Sequence, residues 1–440
     1  GGLRYDWYAT DDRPETNLDF FTSYGFKNDQ NLDGKGLLQP RLGFTFDVDE
    51  TLDLRGGVGI YSGGNPNVWL SNTYSANNVL QFGADGGAFG LEQNGGPSIF
   101  TIPYTMCEAG VPTGPGWCVP QAMADAVAAG EGSNFEINYL DPNFEIPYEW
   151  KWAFGATKYL NVPALGGEYV VSGDILFTQG EERAVWVRGD LEQTGFTTGP
   201  DGRQYPTYAS VREPAFVLTN SESSPKSLLL SGSVAKEYDF GLDWSFGYAY
   251  SDSEDVHPMT SSVAFSNYNN RAFGDPQDVT AARSDYNIEH RFTALVNYEH
   301  AFFGDNVTRF SAFGQANSGL PYSLTIDENP NNITGFTPFL EGNPFLAAGQ
   351  ERNGEDGSWW GKVDIKVEQE FALFNDHVAS GFVVIDNFTN LLNDEWGVLR
   401  QRGFPAQCTV DVSGQPTERC ESRIGDASRY EIRFGLRYEF

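Results

Sequence analysis

Residues 430–440 alternate without a break. Tyr430, Ile432, Phe434, Leu436, Tyr438 and Phe440 take one parity, while Glu431, Arg433, Gly435, Arg437 and Glu439 take the other. Successive side chains of a strand leave on opposite faces, so this segment has one wholly apolar face and one polar, mostly charged face. In a water-soluble fold such a strand is followed by a turn and covered by a second layer. A transmembrane barrel strand needs no such cover, because hydrocarbon supplies it.

The rest of the chain fits that reading. Its 440 residues are 40% hydrophobic and 15% aromatic, with a mean hydropathy of −0.40. No run approaches the roughly 18–20 consecutive apolar residues of a spanning helix. Barrels pass unnoticed by hydropathy because half of each strand faces a polar lumen, and aromatic residues suit the girdles at their two interfaces. Sixty acidic against 28 basic residues, a formal charge of −32, argue against nucleic acid as a partner. The acidic excess serves solubility, or an outer face bridged by divalent cations or receiving a basic ligand. Gly1 runs almost directly into a strand at residues 3–8 with no export signal, so either processing removes the signal or, as the abrupt start favours, the chain begins partway through a longer protein.

Period-two alternation predicts about twelve strands, near 2–10, 38–47, 52–61, 148–160, 167–180, 225–238, 241–251, 286–302, 307–326, 359–374, 377–391 and 429–440. The connections between them alternate strictly in length. Long ones cover about 11–37, 62–147, 181–224, 252–285, 327–358 and 392–428. Short ones lie near 48–51, 161–166, 239–240, 303–306 and 375–376. Tight turns at one rim and long loops at the other are the signature of outer-membrane barrels, with the turns in the periplasm and the loops outside. The predicted fold is therefore all-β, a transmembrane antiparallel β-barrel portion spanning residues 1–440. An open sheet of twelve strands leaves two unpaired edges, costing several kcal/mol for each backbone group facing lipid. Either further strands are supplied, or these twelve close on themselves as a smaller barrel.

Side-chain chemistry is sparse. Cys107 with Cys118, and Cys408 with Cys420, are close pairs in loop composition and predict two local disulfides in an oxidising compartment. Asp29, Asn31 and Asp33 match the first half of a calcium loop, but Pro40 stands where the bidentate Glu belongs. A polar turn is the favoured reading and Ca2+ the alternative, with no other cofactor expected. Residues 351–357 form a second acidic turn. The loop at 62–147 carries eight acidic residues and no Lys or Arg, with a short helix expected over 121–129. His257, His290, His300 and His377 lie in no motif with a nucleophile, so the chain is not expected to be an enzyme. Arg4, Asp6, Lys151, Asp174, Asp243, Lys362, Asp364, Lys366 and Arg433 should line the polar wall. The pairs Trp7-Tyr8, Tyr148 with Trp150, and Trp359-Trp360 read as girdle anchors. Ile365→Arg is expected to be costly and Asp364→Arg tolerated.

The chain resembles the carboxy-terminal half of a TonB-dependent outer-membrane receptor of the Oar-like subgroup. The resemblance is carried by residues 39–44 (QPRLGF), 54–61 (LRGGVGIY), 141–147 (DPNFEIP), 318–322 (SGLPY), 387–393 (NFTNLLN) and the ending 435–440 (GLRYEF), in that order over almost the whole chain. It implies a 22-stranded barrel around an amino-terminal plug, of which this chain would be strands eleven to twenty-two, with the plug and TonB box lying outside it. It further implies energising by the TonB complex. The terminal strand, with Tyr430, Ile432, Phe434, Leu436, Tyr438 and Phe440 on its apolar face, would be the signal read by the barrel-assembly machinery. Expected partners are outer-membrane lipid and lipopolysaccharide, the remaining barrel strands and plug, and accessory surface or periplasmic proteins. The expected function is transport or binding of a bulky solute, whether peptide or protein, carbohydrate or siderophore. A passive porin of about twelve strands and a surface-binding or structural module are the alternatives.

Overall fold

A computed structural model describes residues 1–63, 66–79, 137–199, 201–326, 345–373 and 377–440. Twelve strands run through it: β1 (Gly2–Trp7), β2 (Gly36–Asp49), β3 (Leu52–Ser62), β4 (Tyr148–Val162), β5 (Gly167–Glu181), β6 (Lys226–Glu237), β7 (Leu242–Asp255), β8 (His290–Phe303), β9 (Asn306–Asn317), β10 (Trp360–Ala372), β11 (Val378–Asp386) and β12 (Glu431–Glu439). Each pairs antiparallel with the next in chain order, forming one continuous wall. The alternation of connections holds throughout. Residues 50–51, 163–166, 238–241 and 304–305 are the tight turns, and the ladder of β10 with β11 runs to Ala372 opposite Val378. The turn expected at 375–376 and the helix expected at 121–129 lie outside the described residues.

Among the described residues the wall does not close on itself: β1 pairs with β2 alone and β12 with β11 alone. Leu3, Phe434 and Leu436 on these edge strands are 71%, 79% and 92% exposed, with no second layer over them.

Register sorts the side chains as alternation requires. The row Ala312, Ile365, Ile385 and Ile432 crosses four strands on one face, and so does the row Gly232, Tyr248, Phe292 and Ala316. Opposite them lie Ser311 and Lys366, then Asn297 and Asp243. Two expected strands end early. The ladder of β9 stops at Asn317; Ser323–Ile326 leaves the wall to pair in parallel with Gln407–Val410. The strand expected to reach 391 ends at Asp386 because Asn387 takes the left-handed conformation (φ 52°) and starts the helix Phe388–Leu392. The Asn387 backbone N–H donates to Asp364 and its Nδ2 to the Gly397 carbonyl, which holds the chain out of the sheet.

Apolar burial lies elsewhere. Every buried hydrophobic side chain among the described residues belongs to a long connection, and none to a wall strand. The long connections form an ordered cap. Its centre is a small sheet in which Ala215–Asn220 pairs in parallel with Ile137–Leu140 and antiparallel with Ala184–Arg188. Leu32, Leu140, Phe144, Trp186, Phe216, Leu218, Met259 and Tyr268 pack around it from four different connections. A second cluster gathers Phe20, Ile137, Tyr139, Ala215 and Val217. Phe20 is delivered by the helix Leu18–Tyr24, whose N-cap Asn17 accepts the Phe20 N–H at 2.9 Å and whose C-cap Gly25 is left-handed. Fully burying side chains of this size stabilises by about 1.5–3 kcal/mol each, enough to order a loop assembly.

Candidate functional site

The polar face of the wall is an ionic network. Near the long-connection rim Arg4 pairs with Asp6 at 2.7 Å, Asp6 accepts from Gln39, and Gln39 accepts from Arg41. Arg41 lies 4.0 Å over the Tyr61 ring, which also sees Lys151, and Lys151 pairs with Glu149 at 3.1 Å. Farther along, Lys362 meets Asp364 at 2.8 Å, Lys366 meets Glu368, Arg433 meets Asp386, and Asp243 accepts from Asn297 at 2.8 Å. All nine predicted wall residues therefore lie on this face, held by neighbours. Eight of the nine meet an opposite charge within the wall, and Asp243 meets the neutral Asn297, which leaves a hydrophilic lining.

One pair spans three strands. Arg55 of β3 reaches Asp174 of β5 at 2.6 Å, passing over Gly155 of β4. A Cβ at Gly155 would collide with Asp174 Oδ1 and lie 2.8 Å from Arg55 Nε, so glycine is what lets the two charges meet. Gly155→Ala is expected to split the pair and, because both charged side chains are half-exposed and can swing aside, to cost no more than about 1 kcal/mol, read from urea unfolding in detergent.

The outward face carries most of the wall's aromatic residues, although two predicted pairs divide. Trp359 stacks on His290 with ring centres 5.9 Å apart, on the apolar side, whereas Trp360 points to the polar side and donates Nε1–H to the Gly397 carbonyl. Trp7 is exposed and Tyr8 turns inward against the cap core. Consecutive strand residues face opposite ways, so Trp359-Trp360 cannot anchor one girdle together. Trp150 does share the outward face, stacked on Trp152 at 5.7 Å.

Above the wall, the cap holds the predicted loop residues. Asp29, Asn31 and Asp33 sit in a turn of satisfied hydrogen bonds. Asn31 Nδ2 donates to the Asp12 carbonyl and its Oδ1 accepts the Asp33 N–H, while Asp33 accepts the Thr10 N–H. Asp29 lies 4.0 Å from Lys27. Cys408 and Cys420 form a disulfide joining the two sides of a cap hairpin. Cys107 and Cys118 lie outside the described residues.

The deepest ion pair was not anticipated. Arg188 and Asp190 are completely buried, with Arg188 Nε and Nη2 donating to the two carboxylate oxygens at 2.7 and 2.8 Å. The uninterrupted apolar run at 215–218, inside a stretch otherwise read as a loop, is the sequence signal that a core passes through it.

His257 is 8% exposed within this cap, and its Nδ1 accepts the Met259 N–H at 2.8 Å. Burial, with Arg271 and Arg352 nearby, holds its pKa well below the ordinary histidine range. The folded cap therefore keeps His257 neutral while the unfolded chain binds a proton below about pH 6.5. Stability is expected to fall with acidification, by about 1 kcal/mol per pH unit below that point. Hydrogen exchange of cap amides at pH 7 and 5.5 should show this slope, and His257→Asn should remove it.

These features define a class: a strand-built membrane wall with a hydrocarbon-facing surface, a polar lining and an ordered cap on one rim. The family model for the outer membrane beta barrel domain matches residues 2–375, and the chain belongs to that family. No curated protein matches it. Among solved structures it is similar to the siderophore receptor PirA from Acinetobacter baumannii, with 10% identity, a TM-score of 0.40, and coverage of 81% of this chain and 37% of that one. It is also similar to the outer membrane transporter YddB from Escherichia coli, with 10% identity, a TM-score of 0.46, and coverage of 92% and 41%. A point mutant of the ferric enterobactin receptor PfeA from Pseudomonas aeruginosa matches at 11% identity and a TM-score of 0.40, covering 92% and 39%. The chain thus spans about two fifths of the length of these receptors.

Proposed function

We propose that this chain forms the carboxy-terminal portion of the barrel of a TonB-dependent outer-membrane transporter, which takes up a bulky solute rather than catalysing a reaction. The observation that carries the reading is a wall of twelve consecutive strands whose two edges are unpaired among the described residues, beneath a structured cap. In a bilayer such edges need further strands, and a barrel widened by them has room for a plug and a large cargo. The cap, on the long-connection rim, faces outward and captures solute. The short turns and the end of β12 lie at the periplasmic rim, where the apolar residues from Tyr430 to Phe440 serve assembly. Peptides or proteins, carbohydrates and siderophores remain the solute classes.

The test is uptake by cells carrying the protein, using labelled peptides, oligosaccharides and ferric siderophores. Uptake that stops when a protonophore dissipates the proton-motive force supports the proposal. Uptake insensitive to the protonophore, together with steady ohmic conductance in planar bilayers, would replace it with a passive porin. Surface binding with neither uptake nor conductance would replace it with a binding module.

A further inference from the structure

Between residues 252–283 and 346–354 the cap contains a cavity of about 820 Å³. Asp252 and Glu254 reach it from the end of β7, on the strand face of Tyr248 and Tyr250. That is the outward face, so the cavity belongs to the outer flank of the cap and not to the polar lining of the wall.

The charges around it are unevenly matched. Arg352 is paired with Asp255 at 2.9 Å, and Arg283 with Glu289 at 3.2 Å and Asp356 at 2.5 Å. Among the described residues Arg271 has no carboxylate in contact, although Asp275 and Asp278 lie near enough to favour its charge. It is 5% exposed, and its guanidinium donates only to the backbone carbonyls of Asp278 at 3.3 Å and Pro276 at 2.5 Å, with Nε unpartnered. Burial lowers its pKa to about 10, so it remains a cation at neutral pH. On the same lining the side chains of Asp252, Asp278 and Glu351 make no hydrogen bond or ion pair among the described residues.

A guanidinium that touches no carboxylate and carboxylates that touch no base, among the described residues, complement a ligand that carries both charges. Charge-assisted hydrogen bonds to each end would satisfy groups the fold leaves unmatched, and complementary potentials select the partner. A purely anionic ligand meets the surplus of carboxylates. A purely cationic one leaves Arg271 alone, and a neutral saccharide compensates no charge. We propose that the cavity docks a peptide segment of a partner protein that bears a basic side chain beside a free carboxy-terminus, the carboxylate toward Arg271 and the cation toward Asp252, Asp278 and Glu351. Because the cavity lies off the wall's polar face, this site does not depend on the transport reading.

The test uses the purified protein in detergent micelles and the peptide Ala-Ala-Lys with a free carboxyl, titrated by calorimetry. The carboxy-terminal amide and the analogue Ala-Ala-Glu are expected to bind roughly 10-fold more weakly or worse. Arg271→Met should abolish the preference for the free carboxyl. Should that variant fail to fold, Asp252→Asn with Glu351→Gln changes only the cavity wall and should weaken Ala-Ala-Lys by a similar factor. Equal binding of acid and amide, no binding at millimolar peptide, or tighter binding of lipopolysaccharide core or inorganic phosphate would each overturn the assignment, the last in favour of a lipid headgroup.

Discussion

Replacing Ile365 by arginine is expected to destabilise the wall by roughly 2–4 kcal/mol, the cost of a cation at mid-bilayer on a barrel's lipid face. Ile365 sits in the middle of β10, flanked across the ladder by Ala312 and Ile385, with Ile432 one strand farther. Ser245→Arg on the polar face, where Asp243 is two residues away on the same strand side, should cost less than about 1 kcal/mol. Reversible urea unfolding in phospholipid vesicles measures both. Similar costs for the two substitutions would mean that the faces are assigned the wrong way round.

The second large effect is expected in the cap. Asp190→Ala removes the counter-charge of the buried Arg188 guanidinium, together with acceptors for Ser210 Oγ at 2.7 Å and the Ala215 N–H at 3.3 Å. Breaking a fully buried pair from one side costs about 3–5 kcal/mol, because the remaining charge stays desolvated. The strand Ala215–Asn220 holds the central cap sheet together, so that sheet should open first. Limited proteolysis should then cut within the cap while the wall keeps its heat-modifiable migration. Loss of that migration would show that cap and wall fold as one unit.

The wall was legible from the amino-acid order alone because its rule is local. A strand with lipid on one side and a polar lining on the other must alternate, and the strands expected at 52–61 and 167–180 appear as Leu52–Ser62 and Gly167–Glu181. The cap obeys no local rule. Its sheets join Ile137–Leu140 to Ala215–Asn220, and Ser323–Ile326 to Gln407–Val410, each pairing across a long stretch of chain. Their strands are short, and nothing in their period names a partner. The same limit hides a second role of Asp364. Alternation places it correctly on the polar side, which suggests that arginine would be tolerated there. The structure makes it the acceptor for the Asn387 N–H and the partner of Lys362, so Asp364→Arg would disturb the end of β11 as well as a surface charge.

The segregation of oily side chains gives this molecule two solvents. The wall presents its apolar atoms to hydrocarbon chains, while the cap shields its own from water. Melting the cap should therefore carry the large positive heat-capacity change of hydrated apolar surface, and chilling should weaken it. Swapping one detergent for another should act chiefly on the wall.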